Sequence, residues 1–268
     1  MLTQPASEPA TIGWDDPLTA DFYERFSALH ARYRIANANL IRHAALVGVR
    51  RVCDLGAGTG GTARAALLSL GPNSEVCCVE PAAAMRAAGR RELDDPRVTW
   101  WRAWPKKAGA FDRILCGAAI WLLMPLETTF ARCRRLLRPG GALCFDIPSL
   151  YLGEAEEPGG GRDPLLLELA ARLSEDLPPA SALPPPTAEA MEALLEVAGF
   201  QAERWTFRLR LTQRALADWY KIPVLTNGLL ASADAGERAR RVEATFREVD
   251  PKSWRWERWS GWTAWKTA

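Results

Sequence analysis

The chain has 268 residues, of which 48% are hydrophobic and 25% charged, and its formal net charge is +2 at pH 7. This composition is typical of a globular protein and excludes an intrinsically disordered chain. The near balance of acidic and basic residues gives no indication of a nucleic-acid partner. A chain of this length can bury one core of its own, so we expect a single domain over residues 1–268.

Neither targeting to a membrane nor a metal centre is predicted. The first residues lack the basic region and apolar stretch of a signal peptide. The longest wholly apolar stretch, Ala118–Pro125, is far shorter than the ~20 residues that span a bilayer. The six cysteines form no CxxC pair and lie mostly in apolar runs. The sequence therefore predicts a reduced, cytoplasmic protein with no metal site.

The predicted elements alternate between strands and helices. A helical pattern with one break occupies 16–47, and we assign residues 1–48 to an N-terminal helical cap. Strands that alternate with helices indicate βαβ units, and hence an α/β fold with a doubly wound, mostly parallel sheet. The strands are predicted at Arg51–Leu55, Glu75–Val79, Val98–Trp101, Phe111–Cys116 and Ala142–Ile147, and the helices at Thr62–Ser69, Ala82–Glu92 and Leu126–Leu137.

Residues 149–188 interrupt this alternation. They are rich in Gly and Pro on both sides of a helical stretch at 165–176, and we interpret them as a lid insertion. The alternation then resumes. A helix is predicted at 187–198, a strand near 202–211, further helices at about 213–220 and 235–249, and a Trp-rich end whose aromatic residues we interpret as core.

A glycine-rich turn follows the first strand, in the segment Asp54-Leu-Gly-Ala-Gly-Thr-Gly-Gly61. Its GxGxxG pattern alone is compatible with a dinucleotide site, and so with an NAD-type dehydrogenase. The carboxylate of Asp54 would repel a pyrophosphate placed so close to it. The same carboxylate would attract a ligand that carries an ammonium and a sulfonium.

This segment resembles the glycine-rich motif of class I S-adenosylmethionine (SAM)-dependent methyltransferases. The resemblance continues through Val79-Glu80-Pro81, the strand 111–116 and the segment Leu136–Gly141, and it covers about 50–148 well. It implies a Rossmann-like seven-stranded sheet with an antiparallel last strand near Gly261–Lys266. It also implies SAM as the cofactor.

The resemblance assigns cofactor-binding roles along the strand ends. The glycines let the backbone approach the methionine part of SAM, and Glu80 is placed to accept the ribose hydroxyls. Many family members carry an acidic residue after the third strand, where this chain has Ala103 and Trp104. The residues predicted to bind the cofactor are Tyr33, Asp54, Gly56, Ala57, Gly58, Gly60, Glu80, Pro81, Met85, Ala103, Trp104 and Cys116.

Three residues are predicted to act on the reacting groups. Trp121 follows the fourth strand, where family members face the active site, and its ring could stabilise a sulfonium. Tyr23 and His30 lie on one face of the N-terminal helical pattern, together with Tyr33. The chain holds two histidines, so few general bases are available.

The resemblance and the absent motifs point to a methyltransferase for a small-molecule acceptor, in specialised metabolism. The chain lacks the Asn/Asp-Pro-Pro-aromatic and Pro-Cys motifs of nucleic-acid methyltransferases. One alternative is a SAM-consuming cyclase that releases methylthioadenosine and azetidine-2-carboxylate; another is a SAM-fold regulatory subunit without activity. We expect a monomer or homodimer with no nucleic-acid or membrane partner.

Overall fold

The protein structure is a computed structural model that describes residues 13–154, 157–160, 186–226, 230 and 233–267. The predicted helical stretch at 165–176, and most of the predicted lid at 149–188, lie outside the described residues. In the described part of the chain, no helix has both the length and the apolar character needed to cross a membrane.

The strands of the described residues form one mixed sheet. Its order is β3-β2-β1-β4-β5-β8, with β6 and β7 also paired to β8. Strands β1 to β5 are parallel to one another, whereas β8 is antiparallel to both β5 and β7. The strands are β1 (Arg51–Leu55), β2 (Glu75–Val79), β3 (Val98–Trp101), β4 (Phe111–Cys116), β5 (Leu137–Pro148), β6 (Glu157–Gly160), β7 (Phe200–Thr212) and β8 (Trp254–Lys266).

Four of the helices begin at a residue whose side chain caps them. Asp16 accepts a hydrogen bond from the backbone of Leu18 at the start of α1, and Thr187, Thr212 and Asp234 cap three later helices in the same way. The helices are α1 (Pro17–Leu29), α2 (Arg32–Ala44), α3 (Gly61–Leu67), α4 (Ala83–Glu92), α5 (Leu126–Leu136), α6 (Ala188–Val197), α7 (Gln213–Tyr220), α8 (Pro223–Thr226) and α9 (Ala235–Arg247).

Helices cover both faces of the sheet. On one face α5 and α6 pack over Phe145 and Trp262, and on the other α2 and α3 pack over Val52 and Leu115. A third cluster joins α1, α2, α7 and α9 to the far ends of β7 and β8 around Trp259. The N-terminal helices α1 and α2 therefore pack against the C-terminal elements α7, α9 and β8.

The predicted fold class is confirmed, with two differences in detail. Strand β8 lies between β5 and β7 rather than at the edge, and it begins at Trp254 instead of near Gly261. Neighbours on both sides and helices on both faces bury Trp259 and Trp262 completely. The prediction that the Trp-rich end is core holds for Trp259 and Trp262, whereas Trp254, Trp256 and Trp265 are half-buried. The short β6, which leaves the insertion to pair with β8, was not predicted.

Candidate functional site

The glycine-rich turn joins β1 to α3 at the carboxyl edge of the parallel strands. Gly56, Gly58 and Gly60 have φ angles of 70°, 54° and 85°, a region that favours glycine. A Cβ atom built on Gly56 would lie 2.8 Å from the Cβ of Ala119. The turn therefore depends on glycine both for its backbone conformation and for its close packing against the segment after β4.

Asp54 lies behind this turn and is fully buried. Its Oδ2 accepts a hydrogen bond of 2.9 Å from the backbone N–H of Ala63 in α3, and its Oδ1 has no partner among the described residues. Burial raises the pKa of Asp54 to about 7, and the nearby charge of Glu80 acts in the same direction. Asp54 thus connects the turn to α3 from behind, and its predicted role in cofactor binding stays a prediction.

Glu80 follows β2 and faces the turn from the neighbouring strand. Its Oε2 accepts the backbone N–H of Gly58 and its Oε1 that of Ala82, both at 2.8 Å. Each oxygen keeps a lone pair for a ligand hydroxyl. Burial raises the pKa of this carboxyl above its usual value, although the two backbone hydrogen bonds oppose the shift.

A cavity of about 870 Å³ opens along this edge of the sheet, within the size range of small-molecule and cofactor sites. One end, which we call the turn half, is lined by Gly56, Ala57, Gly58, Glu80, Pro81 and Met85. The other end, which we call the aromatic half, is lined by Arg32, Tyr33, Trp121, Tyr151, Trp219 and Trp259. Elements from both ends of the chain therefore enclose one space.

Tyr23 belongs to the turn half. It packs with Trp14 against a small cluster that contains Ala82 and Met85, and its ring centroid lies 5.2 Å from that of Tyr33. Burial raises the pKa of the Tyr23 hydroxyl well above its ordinary value. Tyr23 thus lines the cavity and covers the segment 81–85, and its predicted action on the reacting groups stays a prediction.

Arg32, the first residue of α2, is buried at the aromatic half. Its Nε donates to Glu257 Oε2 at 2.9 Å and its Nη2 to Oε1 at 2.5 Å, which is a bidentate pair. The guanidinium also lies 4.6 Å from the ring centre of Trp219 and 5.3 Å from that of Trp259. The positive charge of Arg32 is thus balanced within the protein, and the wall that it supports is aromatic.

The floor between the two halves is the segment after β4. Gly117, Ala118 and Ala119 line the cavity, and Ala118 has the unusual φ of 52°. Its backbone N–H donates to Oδ1 of the fully buried Asp146 at 2.7 Å, while Asp146 Oδ2 has no partner among the described residues. Burial raises the pKa of Asp146 to about 7.

Trp121 lines the cavity as predicted for a residue that faces the active site. Its ring stacks on that of Tyr151, with 4.7 Å between centroids and 12° between planes. This stacking fixes the indole beside the floor segment.

Several predicted residues do not line the cavity. His30 lies in the turn between α1 and α2, where its Nε2 is 2.9 Å from Asp218 Oδ2. Trp104 packs under the guanidinium of Arg132 at 4.4 Å, and its neighbour Ala103 is exposed. The other predicted residues outside the lining are Asp54, Gly60 and Cys116, which are placed behind the turn or the floor.

Four residues at or beside the aromatic half were not predicted as site residues: Arg32, Glu257, Trp219 and Trp259. Arg32 and Glu257 are 225 positions apart, and a local pattern gives no sign of such a pairing. Asn37 in α2 also lines the cavity, and its Oδ1 accepts a hydrogen bond from Thr62 Oγ1 at 2.9 Å.

Comparisons with known proteins agree with the fold of this chain. The family described as "Methyltransferase domain" matches residues 52–141, and no curated protein matches the sequence significantly. The solved YcgJ protein from Bacillus subtilis aligns with a TM-score of 0.57 at 14% identity, over 88% of this chain and 99% of its own. The [4+2]-cyclase SpnF aligns with a TM-score of 0.59 at 16% identity, over 98% of this chain and 97% of its own.

A candidate methyltransferase from Bacillus halodurans C-125 also aligns, with a TM-score of 0.57 at 16% identity, over 87% of this chain and 99% of its own. At these identities the solved structures show the fold alone. That fold is the Rossmann-like fold of class I SAM-dependent methyltransferases, and the predicted resemblance to this class is confirmed. The family match covers the part of the chain that holds the glycine-rich turn and Glu80.

The site fits SAM, the cofactor of this domain class. The glycine turn leaves backbone room, and Glu80 presents two carboxylate oxygens to the cavity. A carboxylate with free lone pairs suits a ligand that carries hydroxyl groups. The described residues contain no cluster of metal-ligating side chains.

Proposed function

We propose that the protein transfers the sulfonium methyl group of SAM to a small-molecule acceptor in specialised metabolism. The observation that carries this proposal is the continuity of the cavity. The turn half has the groups that suit SAM, and the aromatic half provides an enclosed space for a second, largely apolar molecule.

In this proposal Glu80 holds the ribose hydroxyls, Gly56 and Gly58 lie along the methionine part, and Met85 packs beside the adenine. When bound, SAM supplies a methyl group that is already activated by a positively charged sulfur. The protein then mainly has to align the acceptor and exclude water. The α1–α2 cap, with Tyr23 and Tyr33, covers the cavity and serves the second purpose.

The placement of His30 supports transfer by proximity rather than by a histidine base. Its imidazole is held by Asp218 outside the cavity lining. The carboxyl groups nearest the floor are Asp54 and Asp146, and each lies behind the backbone that lines the cavity. An acceptor that is already a good nucleophile suits such a site.

The SAM-consuming cyclase remains the second candidate, because it would use the same cofactor groups and few bases. Its nucleophile is the amino group of SAM, its leaving group is methylthioadenosine, and an aromatic residue such as Trp121 beside the sulfonium would stabilise either reaction. A placement in the cytoplasm and a monomeric or homodimeric state complete the proposal; the buried, free cysteines support a reducing compartment.

The test separates the two reactions by their nucleoside product. Purified protein is incubated with SAM alone and then with a panel of small nucleophiles, and the nucleosides are identified by mass spectrometry. Methyl transfer predicts S-adenosylhomocysteine that depends on an added acceptor. Methylthioadenosine above the spontaneous background, without acceptor, would identify the cyclase instead. A protein that does not bind SAM would refute both and favour the regulatory alternative.

A further inference from the structure

The aromatic half of the cavity holds a tyrosine hydroxyl whose hydrogen-bonding capacity is unusually constrained. Tyr33 Oη accepts from Arg32 Nη1 at 3.0 Å and from Trp219 Nε1 at 3.2 Å. A guanidinium and an indole N–H can only donate. Two such donors therefore occupy both lone pairs of the hydroxyl oxygen.

A tyrosine hydroxyl offers one donor and two acceptor sites. Because both acceptor sites of Tyr33 are occupied, its hydroxyl can form a further hydrogen bond only by donating its proton. Among the described residues, Tyr33 donates to none, and its side chain lines the cavity. The proton is thus available for a ligand. Donors that withdraw electron density from the oxygen also strengthen the hydrogen bond that its own proton makes.

The surroundings of this hydroxyl are flat and carry little net charge. Arg32 is neutralised by the bidentate contact with Glu257, and the indole N–H of Trp259 also donates to Glu257 Oε2 at 2.7 Å. The rings of Trp121 and Tyr151 form a stacked pair on the same cavity. Walls of this kind favour a planar, unsaturated molecule over a charged or strongly hydrated one.

We propose that the aromatic half binds a planar, unsaturated acceptor through a carbonyl or phenolic oxygen that receives the proton of Tyr33. This inference rests on the proposed function and deepens it by naming the class of acceptor. It also assigns Tyr33 as a dedicated donor: with both lone pairs occupied, Tyr33 does not serve as a general base.

The experiment uses two probes of nearly equal shape, 2-acetylnaphthalene and 2-isopropenylnaphthalene, which differ by a carbonyl oxygen in place of a CH2 group. Protein is first titrated with S-adenosylhomocysteine, and the saturated complex is then titrated with each probe. A neutral hydrogen bond predicts that the ketone binds about 3- to 10-fold more tightly than the alkene. The Tyr33→Phe variant should lose this preference, whereas the matched Tyr220→Phe variant, at a tyrosine outside the cavity lining, should keep it.

A second measurement needs no variant. The infrared carbonyl stretch of the bound ketone should lie below its value in hexane, as expected for a hydrogen-bonded carbonyl. Equal binding of both probes, binding of neither, or an unshifted stretch would overturn the proposal. An unchanged preference in Tyr33→Phe, with markedly weaker S-adenosylhomocysteine binding, would place the hydroxyl on the cofactor instead. Failure of the first titration would count against the proposed function itself.

Discussion

Replacing Glu80 by alanine tests the cofactor assignment most directly. In the structure this carboxylate is almost fully buried and already anchors the backbone of Gly58 and Ala82. If both ribose hydroxyls donate to it, Glu80→Ala removes two hydrogen bonds to a charged group, each worth about 1.5–3 kcal/mol. Even the lower sum, about 3 kcal/mol, corresponds to roughly 100-fold weaker binding.

The assay is calorimetric titration with S-adenosylhomocysteine, compared with its 2′-deoxy analogue. The wild-type protein should prefer the ribose form, and Glu80→Ala should abolish that preference, which a merely loosened turn would not do. Glu75→Ala is the control, since Glu75 begins the same strand at its opposite end and is largely exposed. A dissociation constant for Glu80→Ala within about 3-fold of wild type would refute the ribose assignment.

Three further predictions concern stability and the role of His30. Gly56→Ala should lower the free energy of unfolding by about 1–3 kcal/mol, because residue 56 has a positive φ and the added Cβ would lie against Ala119. In the control Gly71→Ala the added Cβ would meet no atom within 4 Å, so the melting temperature should change little. His30→Ala should leave S-adenosylhomocysteine binding unchanged, since His30 lies outside the cavity lining; a weaker titration would contradict this placement. Burial raises the pKa of Asp146 to about 7, so its contribution to stability is largest below pH ~4 and declines as the pH rises to 7. Asp146→Asn should therefore be more stable relative to wild type at pH 8 than at pH 5 by up to ~2.7 kcal/mol in urea unfolding, since about two pH units separate pH 5 from the raised pKa, and an equal difference at both pH values would refute this.

The parallel half of the sheet could be predicted from the sequence because its signals are local. The strands Arg51–Leu55 and Glu75–Val79 are short apolar runs bounded by turn residues, and the structure places them at those residues. The glycine turn and Glu80 follow from the same regularity, since the functional residues of such sheets lie at the carboxyl ends of the strands.

The aromatic half could not be predicted in this way, because it depends on contacts between distant parts of the chain. The helical pattern placed Tyr23, His30 and Tyr33 on one face. Only the two tyrosines line the cavity, and the pattern gave no reason to expect Arg32 beside them. The placement of Arg32 depends on Glu257 in β8 and Trp219 in α7. A buried arginine was not expected from composition, since arginine is rarely buried without a partner.

The position of β8 has a consequence for how the protein acquires its binding site during synthesis. This strand joins β5 to β7, supplies Trp259 to the cavity wall and supplies Glu257 as the partner of Arg32. A nascent chain that ends before Trp254 would contain the glycine turn and Glu80 but would lack Trp259 and the counter-charge of Arg32. Because the pairing of β8 joins segments far apart in sequence, we expect it to form late in folding. Before β8 pairs, the chain on the ribosome would have an incomplete binding site. The aromatic residues of that site would be exposed to chaperones.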